Sequence, residues 1–203
     1  MWTVLLASFV ALIPITNPIG ALAAFAGLTS GMAEKDVRRQ AWRTGICVAA
    51  ILIVFAVAGT LLLSVFGISL AALQIAGGLV VLHSGYGMLT AQPKLSGEEK
   101  EGAISKRDIS FSPMALPLVA GPGAIGMVIA LSARHTRVDE RIGVVLACLA
   151  IAVVIAISLR YGTALVEKLG PTGIGALTRV MGFLIAAIGV ELALHGVVAF
   201  FKL

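Results

Sequence analysis

The sequence predicts an all-α polytopic membrane protein with six transmembrane helices, arranged as two inverted three-helix repeats with broken first and fourth helices. Composition, the spacing of the charged residues and an internal repeat predict this fold. The 203-residue chain is 59% hydrophobic and only 12% charged, whereas soluble domains carry about 25% charged residues. Its mean hydropathy of +1.05 excludes a soluble domain, which needs a polar surface, and a disordered chain. The apolar runs also lack the alternation typical of membrane barrels.

Clusters of charged residues divide the chain into six apolar stretches. Residues 1–33 and 44–93 contain no charge, and the second stretch is long enough for two spans of about 20 residues each. A polar loop at 93–108 separates repeat 1 (1–92) from repeat 2 (109–203) within a single transmembrane domain. The predicted spans are near residues 3–29, 44–65, 70–90, 110–132, 142–160 and 177–200.

The basic residues predict the orientation in the membrane, because Lys and Arg are enriched in cytoplasmic loops. With the N-terminus outside, the inner loops hold Lys35, Arg38, Arg39, Arg43, Lys94, Lys100, Lys106, Arg107, Arg160, Lys168 and Arg179. The outer side then holds only Arg134, Arg137, Arg141 and Lys202. Both termini are therefore predicted to be periplasmic. These loops account for the net charge of +5, and no basic stretch with interleaved aromatic residues indicates nucleic-acid binding.

The chain repeats itself at an offset of 104 residues. Pro18 matches Pro122, and Gly78 matches Gly182, with the spans in the same order. Each copy holds three spans, an odd number, so the second copy enters the membrane in the opposite sense. Inverted repeats are typical of transporters, whose substrate site lies near the midplane where the copies meet.

Proline and glycine interrupt the first and fourth predicted spans. Proline removes a backbone donor and kinks a helix, and broken backbone at membrane depth is tolerated only inside protein or beside a wet cavity. A helix that restarts after a break points N–H groups and its positive dipole end at the gap, which suits a carboxylate. The alternative is a pair of ordinary kinks with close glycine packing. The predicted substrate-binding residues are Thr16, Asn17, Pro18, Gly20, Gly121, Pro122 and Gly123.

A few polar residues lie within the predicted spans, where they are costly and often functional. Glu191 and His195 are four residues apart and share a helix face, where a carboxyl group can carry a proton. The alternatives are a neutral hydrogen-bonded Glu191, a buried structural His83, and an Arg179 side chain that reaches the interface. The predicted coupling or pathway residues are Glu191, His195, His83, Gln74, Thr178 and Arg179.

The sequence carries no metal, nucleotide or catalytic motif. Cys47 and Cys148 lie in apolar runs outside any CxxC pattern, which favours a packing role. The three histidines lack HExxH spacing, and no P-loop is present. We therefore expect no cofactor, no metal and no catalytic residue, and the candidate coupling ions are H⁺ and Na⁺.

Three segments resemble the MarC family of bacterial inner-membrane proteins. They are Asn17-Pro18-Ile19-Gly20, the stretch from Ile109 through Gly121-Pro122-Gly123 to Ile125, and Leu177-Thr178-Arg179-Val180-Met181-Gly182. The resemblance covers nearly the whole chain. It implies a polytopic inner-membrane protein related to the lysine-exporter-like transporters. Some members are similar to transporters of small neutral amino acids such as glycine or alanine, and the resemblance implies no drug efflux.

We predict a secondary transporter, and not an enzyme, that moves small neutral amino acids across the bacterial inner membrane with an ion gradient. The expected partners are a small zwitterionic substrate and the lipid bilayer, and a homo-oligomer is left open. Two alternatives come from other classes. One is a structural or assembly protein without transport, and the other is an intramembrane enzyme with Glu191, His195 or His83 as acid and base.

Overall fold

The computed structural model describes residues 1–90 and 108–201, and the regular secondary structure of those residues is helical. Most of the predicted loop at 93–108 therefore lies outside the described residues. A π-helical segment, Ser110–Val119, precedes the fifth α-helix. The α-helices are α1 (Trp2–Thr16), α2 (Pro18–Leu28), α3 (Glu34–Phe66), α4 (Leu70–Leu89), α5 (Pro122–Arg134), α6 (Val138–Tyr161) and α7 (Thr163–Phe201).

The described residues contain four to six candidate membrane spans. Helices α3, α4, α6 and the Thr172–Phe201 part of α7 are each long and apolar enough to cross a bilayer alone. Two bent pairs qualify only together: α1 with α2, bent by 42°, and the π segment with α5, bent by 65°. These bent pairs coincide with the first and fourth predicted spans, so both predicted helix breaks are present.

Helix α7 is longer than the sequence predicted. We expected a span near residues 177–200, whereas α7 consists of two helical stretches that start at Thr163 and meet at a kink at Gly170, where φ is 61°. The part that is long and apolar enough to cross a membrane is Thr172–Phe201. Glycine accepts this left-handed angle without steric cost because it has no Cβ. The kink at Gly170 lets one helix follow another almost without a loop. The sequence did not predict this connection, because charged residues at 167 and 168 are typical of a loop between spans.

Two groups of helices build the core. Helix α6 packs against α1 and α3, while α4 packs along α7, and α5 contacts both α3 and α4. A Cβ added to Gly78 would lie 2.5 Å from the backbone nitrogen of Ala193, and one added to Gly85 would lie 2.5 Å from that of Ala186. Small residues at such positions allow helix backbones to approach closely in membranes. The order of these contacts shows that α4 and α7 are antiparallel.

Ion pairs connect helices at the two ends of the bundle. At one end, the amino group of Met1 lies 3.7 Å from Asp139 Oδ2, at the start of α6. At the other end, Arg43 of α3 forms an ion pair with Asp108, just before the π segment. The N-terminus and the turn before α6 thus share one end, as expected if the chain crosses the membrane at each predicted span.

Candidate functional site

The first helix break lies at Asn17, between α1 and α2. Asn17 is fully buried and has left-handed backbone angles, φ 46° and ψ 69°, which asparagine adopts more readily than most residues. Its Oδ1 accepts a hydrogen bond from the Gly20 N–H at 3.1 Å, which caps α2. Its Nδ2 donates to the sulfur of Met88 at 3.3 Å. Both ends of the amide are therefore engaged within the protein.

The residues beside Asn17 also stabilise the break between α1 and α2. The Thr16 hydroxyl is buried and donates to backbone carbonyls three and four residues earlier, at 3.2 and 3.0 Å. Pro18 is the first residue of α2, a position where its missing N–H costs nothing. A Cβ on Gly20 would lie 2.2 Å from Asn17 Nδ2, so the glycine makes room for the capping side chain.

The second break lies between the π segment and α5. The π segment departs from helical angles at Ser112 and Leu116 and ends at Val119. Helix α5 then begins at Pro122, with Gly121 as its N-cap. The proline again starts the new helix, but the residue before it has no side chain.

The second break leaves helix N–H groups without caps. Among the described residues no side chain caps α5 at Gly121, and Pro122 has no N–H. The Ile125 N–H donates to the Gly121 carbonyl at 3.0 Å. The N–H groups of Gly123 and Ala124 precede that first intrahelical bond and have no partner within the helix. Helix N-termini of this kind attract anionic groups.

A cavity of about 170 Å³ adjoins these N–H groups, and we call it the central cavity. Residues of α1, α4, the π segment, α5 and α7 line it, and among them Ser84 supplies the only polar side chain of the described lining. Pockets for drug-sized ligands measure about 300–1,000 Å³, so this cavity suits a smaller molecule. Lining residues include Ile15, Val81, Ser84, Gly121, Gly123 and Ile185.

The central cavity contains three of the seven predicted substrate-binding residues, Gly121, Pro122 and Gly123. Thr16, Asn17, Pro18 and Gly20 do not line it, although Ile15, next to Thr16, does. Ser84 is not among the predicted residues, although its hydroxyl in an apolar span, next to the predicted His83, could have indicated it.

Four of the predicted pathway residues lie away from the central cavity. Gln74 is buried in α4. His83 is exposed on α4, while Thr178 is half-buried and Arg179 exposed on α7. The structure does not bring these four side chains to one place, and their roles in coupling stay predictions.

Glu191 and His195 meet in a second pocket of about 220 Å³. Their side chains are 69% and 51% exposed, and Glu191 Oε1 lies 3.4 Å from His195 Nε2. Arg134, the last residue of α5, lines the same pocket. The sequence placed Arg134 among loop charges, because its position beside α7 depends on helix packing.

No group of three or more His, Cys, Asp or Glu side chains that can hold a metal occurs among residues 1–90 and 108–201. The expectation of no cofactor and no metal stays a prediction.

Residues 2–201 match the family of MarC family integral membrane proteins. The UPF0056 inner membrane protein MarC of Citrobacter koseri is 38% identical over 207 residues, which cover 95% of this chain and 93% of that protein. The proteins of the same name from Salmonella typhimurium and Escherichia coli O1:K1 / APEC are 37% and 36% identical with the same coverage. The chain belongs to the MarC family. This confirms the resemblance, and a MarC-family protein is an integral membrane protein, in agreement with the apolar helices. No solved structure matches the chain.

Proposed function

We propose that this MarC-family protein is a secondary transporter of small neutral amino acids, such as glycine and alanine, across the bacterial inner membrane. The observation that carries the proposal is the central cavity at a break in a membrane span, beside uncapped helix N–H groups. Broken backbone is tolerated at membrane depth where it is buried in protein or lines a cavity. Transporters commonly bind their substrates at such discontinuous helices.

The chemistry of the central cavity suits a small zwitterion. The N–H groups of Gly123 and Ala124, together with the positive dipole end of α5, favour a carboxylate. The Ser84 hydroxyl adds a donor and acceptor, while Val81 and Ile185 supply an apolar wall for a hydrogen or methyl side chain. Carbonyl groups of the unwound π segment are the candidate acceptors for the ammonium group.

We further propose that the helices form two inverted repeats. Helix α2 begins at Pro18 and α5 at Pro122, while α3 begins at Glu34 and α6 at Val138, and both separations are 104 residues. This equal spacing of helix starts supports the repeat that the sequence predicted. In this arrangement one repeat rocks against the other around the central cavity.

The proposed orientation places both termini in the periplasm. A proton or sodium gradient drives transport in this proposal. The loop charges support the orientation, and the contact of Met1 with Asp139 agrees with the N-terminus and the turn before α6 lying on the same side of the membrane. We propose transport and not catalysis because the central cavity lies at a break in a membrane span, where transporters bind their substrates.

The test is uptake of labelled glycine and alanine by proteoliposomes, with protein-free liposomes as the control. We expect exchange of labelled for unlabelled glycine in the absence of any gradient, and accumulation when a pH or Na⁺ gradient is imposed. Exchange reports transport without coupling, so the two measurements separate transport from its driving ion. Folded protein that shows neither exchange nor accumulation under any gradient would contradict the proposal and favour a structural role.

A further inference from the structure

The pocket at Glu191 lies next to the central cavity along the same three helices. Its walls come from Ala11 of α1, Leu131 and Arg134 of α5, and Ile188, Glu191 and His195 of α7, and we call it the Glu191 pocket. On each helix a pocket residue lies three or four positions from a cavity residue, which places them on one face about 5–6 Å apart. The pairs are Ala11 and Ile15, Met127 and Ala124, and Ile188 and Ile185.

The Glu191 pocket lies at membrane depth. Helix α4 has 20 residues and is therefore about 30 Å long, the thickness of the hydrocarbon layer. Gly78 of α4 faces Gly189 and Ala193 of α7, which lie two residues before and two residues after Glu191 in the chain. Because Gly78 is eight residues after Leu70, Glu191 lies about 12 Å inward from the start of α4.

The charges of this pocket require an aqueous surrounding. The Glu191 side chain is mostly exposed, and its Oε1 lies 3.4 Å from His195 Nε2. A charged side chain that faces lipid at this depth is costly, and such groups almost always face a bundle interior or a water-filled cavity. The wall of the pocket is apolar, and Arg134 and Glu191 line it from different helices, so side chains of both signs of charge lie at its edge.

We infer that the Glu191 pocket is a water-filled outer vestibule that binds a small zwitterion before it enters the central cavity. The Arg134 guanidinium pairs with the carboxylate, because guanidinium groups match carboxylates in shape and charge. The Glu191 carboxylate pairs with the ammonium group. The identity of this ligand rests on the proposed function, whereas the water-filled vestibule does not.

Cysteine accessibility tests the vestibule without transport. In a Cys47→Ala, Cys148→Ala background, the variants Ala11→Cys and Val10→Cys place thiols on adjacent residues of α1. Ala11 lines the pocket, whereas Val10 is 67% exposed on the outer surface and does not. Only a hydrated thiol ionises and reacts, so a membrane-impermeant maleimide should label Ala11→Cys about tenfold faster than Val10→Cys. Ile188→Cys and Ala187→Cys give the same comparison on α7.

Protection by glycine tests the ligand. We expect glycine to slow the labelling of Ala11→Cys, and we expect Arg134→Gln or Glu191→Gln to abolish that protection. Arg137→Gln is the matched control, since Arg137 pairs with Asp139 at 3.2 Å and lies outside the pocket. Size-exclusion profiles in detergent verify that each variant is folded.

The outcomes separate this inference from the proposed function. Equal, slow labelling at both α1 positions in a protein that transports glycine overturns the vestibule alone. Fast labelling of Ala11→Cys without protection, again in a protein that transports glycine, overturns the binding role of Arg134 and Glu191. Fast labelling without protection or transport supports the vestibule and contradicts the proposed function.

Discussion

The breaks at Asn17 and Gly121 both start a new helix at a proline, yet they treat the first N–H groups of that helix differently. At Asn17 the residue before the proline caps the helix with its own side chain. At Gly121 the same position has no side chain, and the N–H groups of Gly123 and Ala124 adjoin the central cavity. The first break is thus closed within the protein, and the second is open to a ligand.

This difference shows that a matched pair of breaks does not make a matched pair of binding sites. The N-cap residue determines whether the first N–H groups of the helix are available to a ligand, because a cap supplies the hydrogen bond that a carboxylate would otherwise supply. Asn17 also reaches Met88 of α4, so the closed break joins three helices. We conclude that the first break holds the bundle together while the second offers the polar surface of the site.

The largest expected effect follows from filling the open break with Gly123→Ala. The new Cβ would lie 2.5 Å from Val81 Cγ2, and valine is stiff about χ1, so α4 and α5 must separate. We expect glycine uptake to fall about a hundredfold through misplacement of the site, with about 1–3 kcal/mol lower stability from overpacking. Uptake assays and thermal unfolding in detergent measure the two effects.

The matched control for this substitution is Gly77→Ala, in the same bundle. A Cβ on Gly77 meets its nearest atom at 3.8 Å, an ordinary contact, so uptake and stability should stay close to those of the wild type. Equal losses in both variants would show that any added methyl group disturbs the bundle. The special role assigned to the open break would then be wrong.

The next effect is on stability, at the closed break. Asn17→Ala removes the cap and puts alanine in the left-handed region, which together cost about 2–3 kcal/mol. Asn17→Gly gives this break the Gly-Pro sequence of the other, without backbone strain, and should cost about 1 kcal/mol. Thermal unfolding measures both, and the KM for glycine should stay within about twofold of wild type because Asn17 makes no cavity contact. A raised KM in a stable Asn17→Gly variant would support Asn17 as a substrate ligand, as the sequence predicted.

The breaks themselves were predictable from the sequence because proline and glycine act locally. Proline lacks a donor wherever it stands, so the segments around Pro18 and Pro122 were identified without knowledge of the fold. Charge spacing located the spans for a similar reason, since each loop charge must leave the hydrocarbon. The pairing of Glu191 with His195 likewise followed from helical periodicity.

What the sequence could not reveal depends on contacts between distant segments. The contact of the Asn17 amide with Met88, 71 positions away in the chain, depends on how α4 packs against the first break. Ser84 and Ile185 meet across the central cavity because α4 and α7 pack in one register. The position of Arg134 beside Glu191 has the same origin.

A smaller effect on the KM for glycine is expected from a comparison of two hydroxyl groups, one near each break. Ser84 lines the open cavity, so Ser84→Ala should raise the KM for glycine about five- to tenfold, the equivalent of one hydrogen bond. The Thr16 hydroxyl donates to carbonyls of its own helix, so Thr16→Val should leave KM unchanged. Concentration-dependent uptake in proteoliposomes measures both. The reverse pattern would move the substrate site to the closed break.

The smallest effect concerns the anchor of the open break at Asp108, which precedes the π segment. Hydrogen bonds from Ser110, and then the Arg43 guanidinium, hold the pKa of the Asp108 carboxyl below its ordinary value of 3.8. A carboxyl with a lowered folded pKa contributes stability that is fully present above the ordinary pKa and is lost as the pH falls through the folded value. Arg43 and Asp108 are 43% and 45% exposed, so the contribution is below about 1 kcal/mol.

Asp108→Asn should therefore unfold at a slightly lower temperature than the wild type at pH 7, and the difference should shrink below about pH 4. Asp36→Asn, which removes another exposed carboxylate in the first turn of α3, is the comparison, and we expect it to lose only the interaction with the helix dipole, about 0.3 kcal/mol. Thermal unfolding in detergent across this pH range measures both variants. A difference that persists at low pH would mean that the Asp108 carboxylate does not anchor the π segment, and the open break would then depend on helix packing alone.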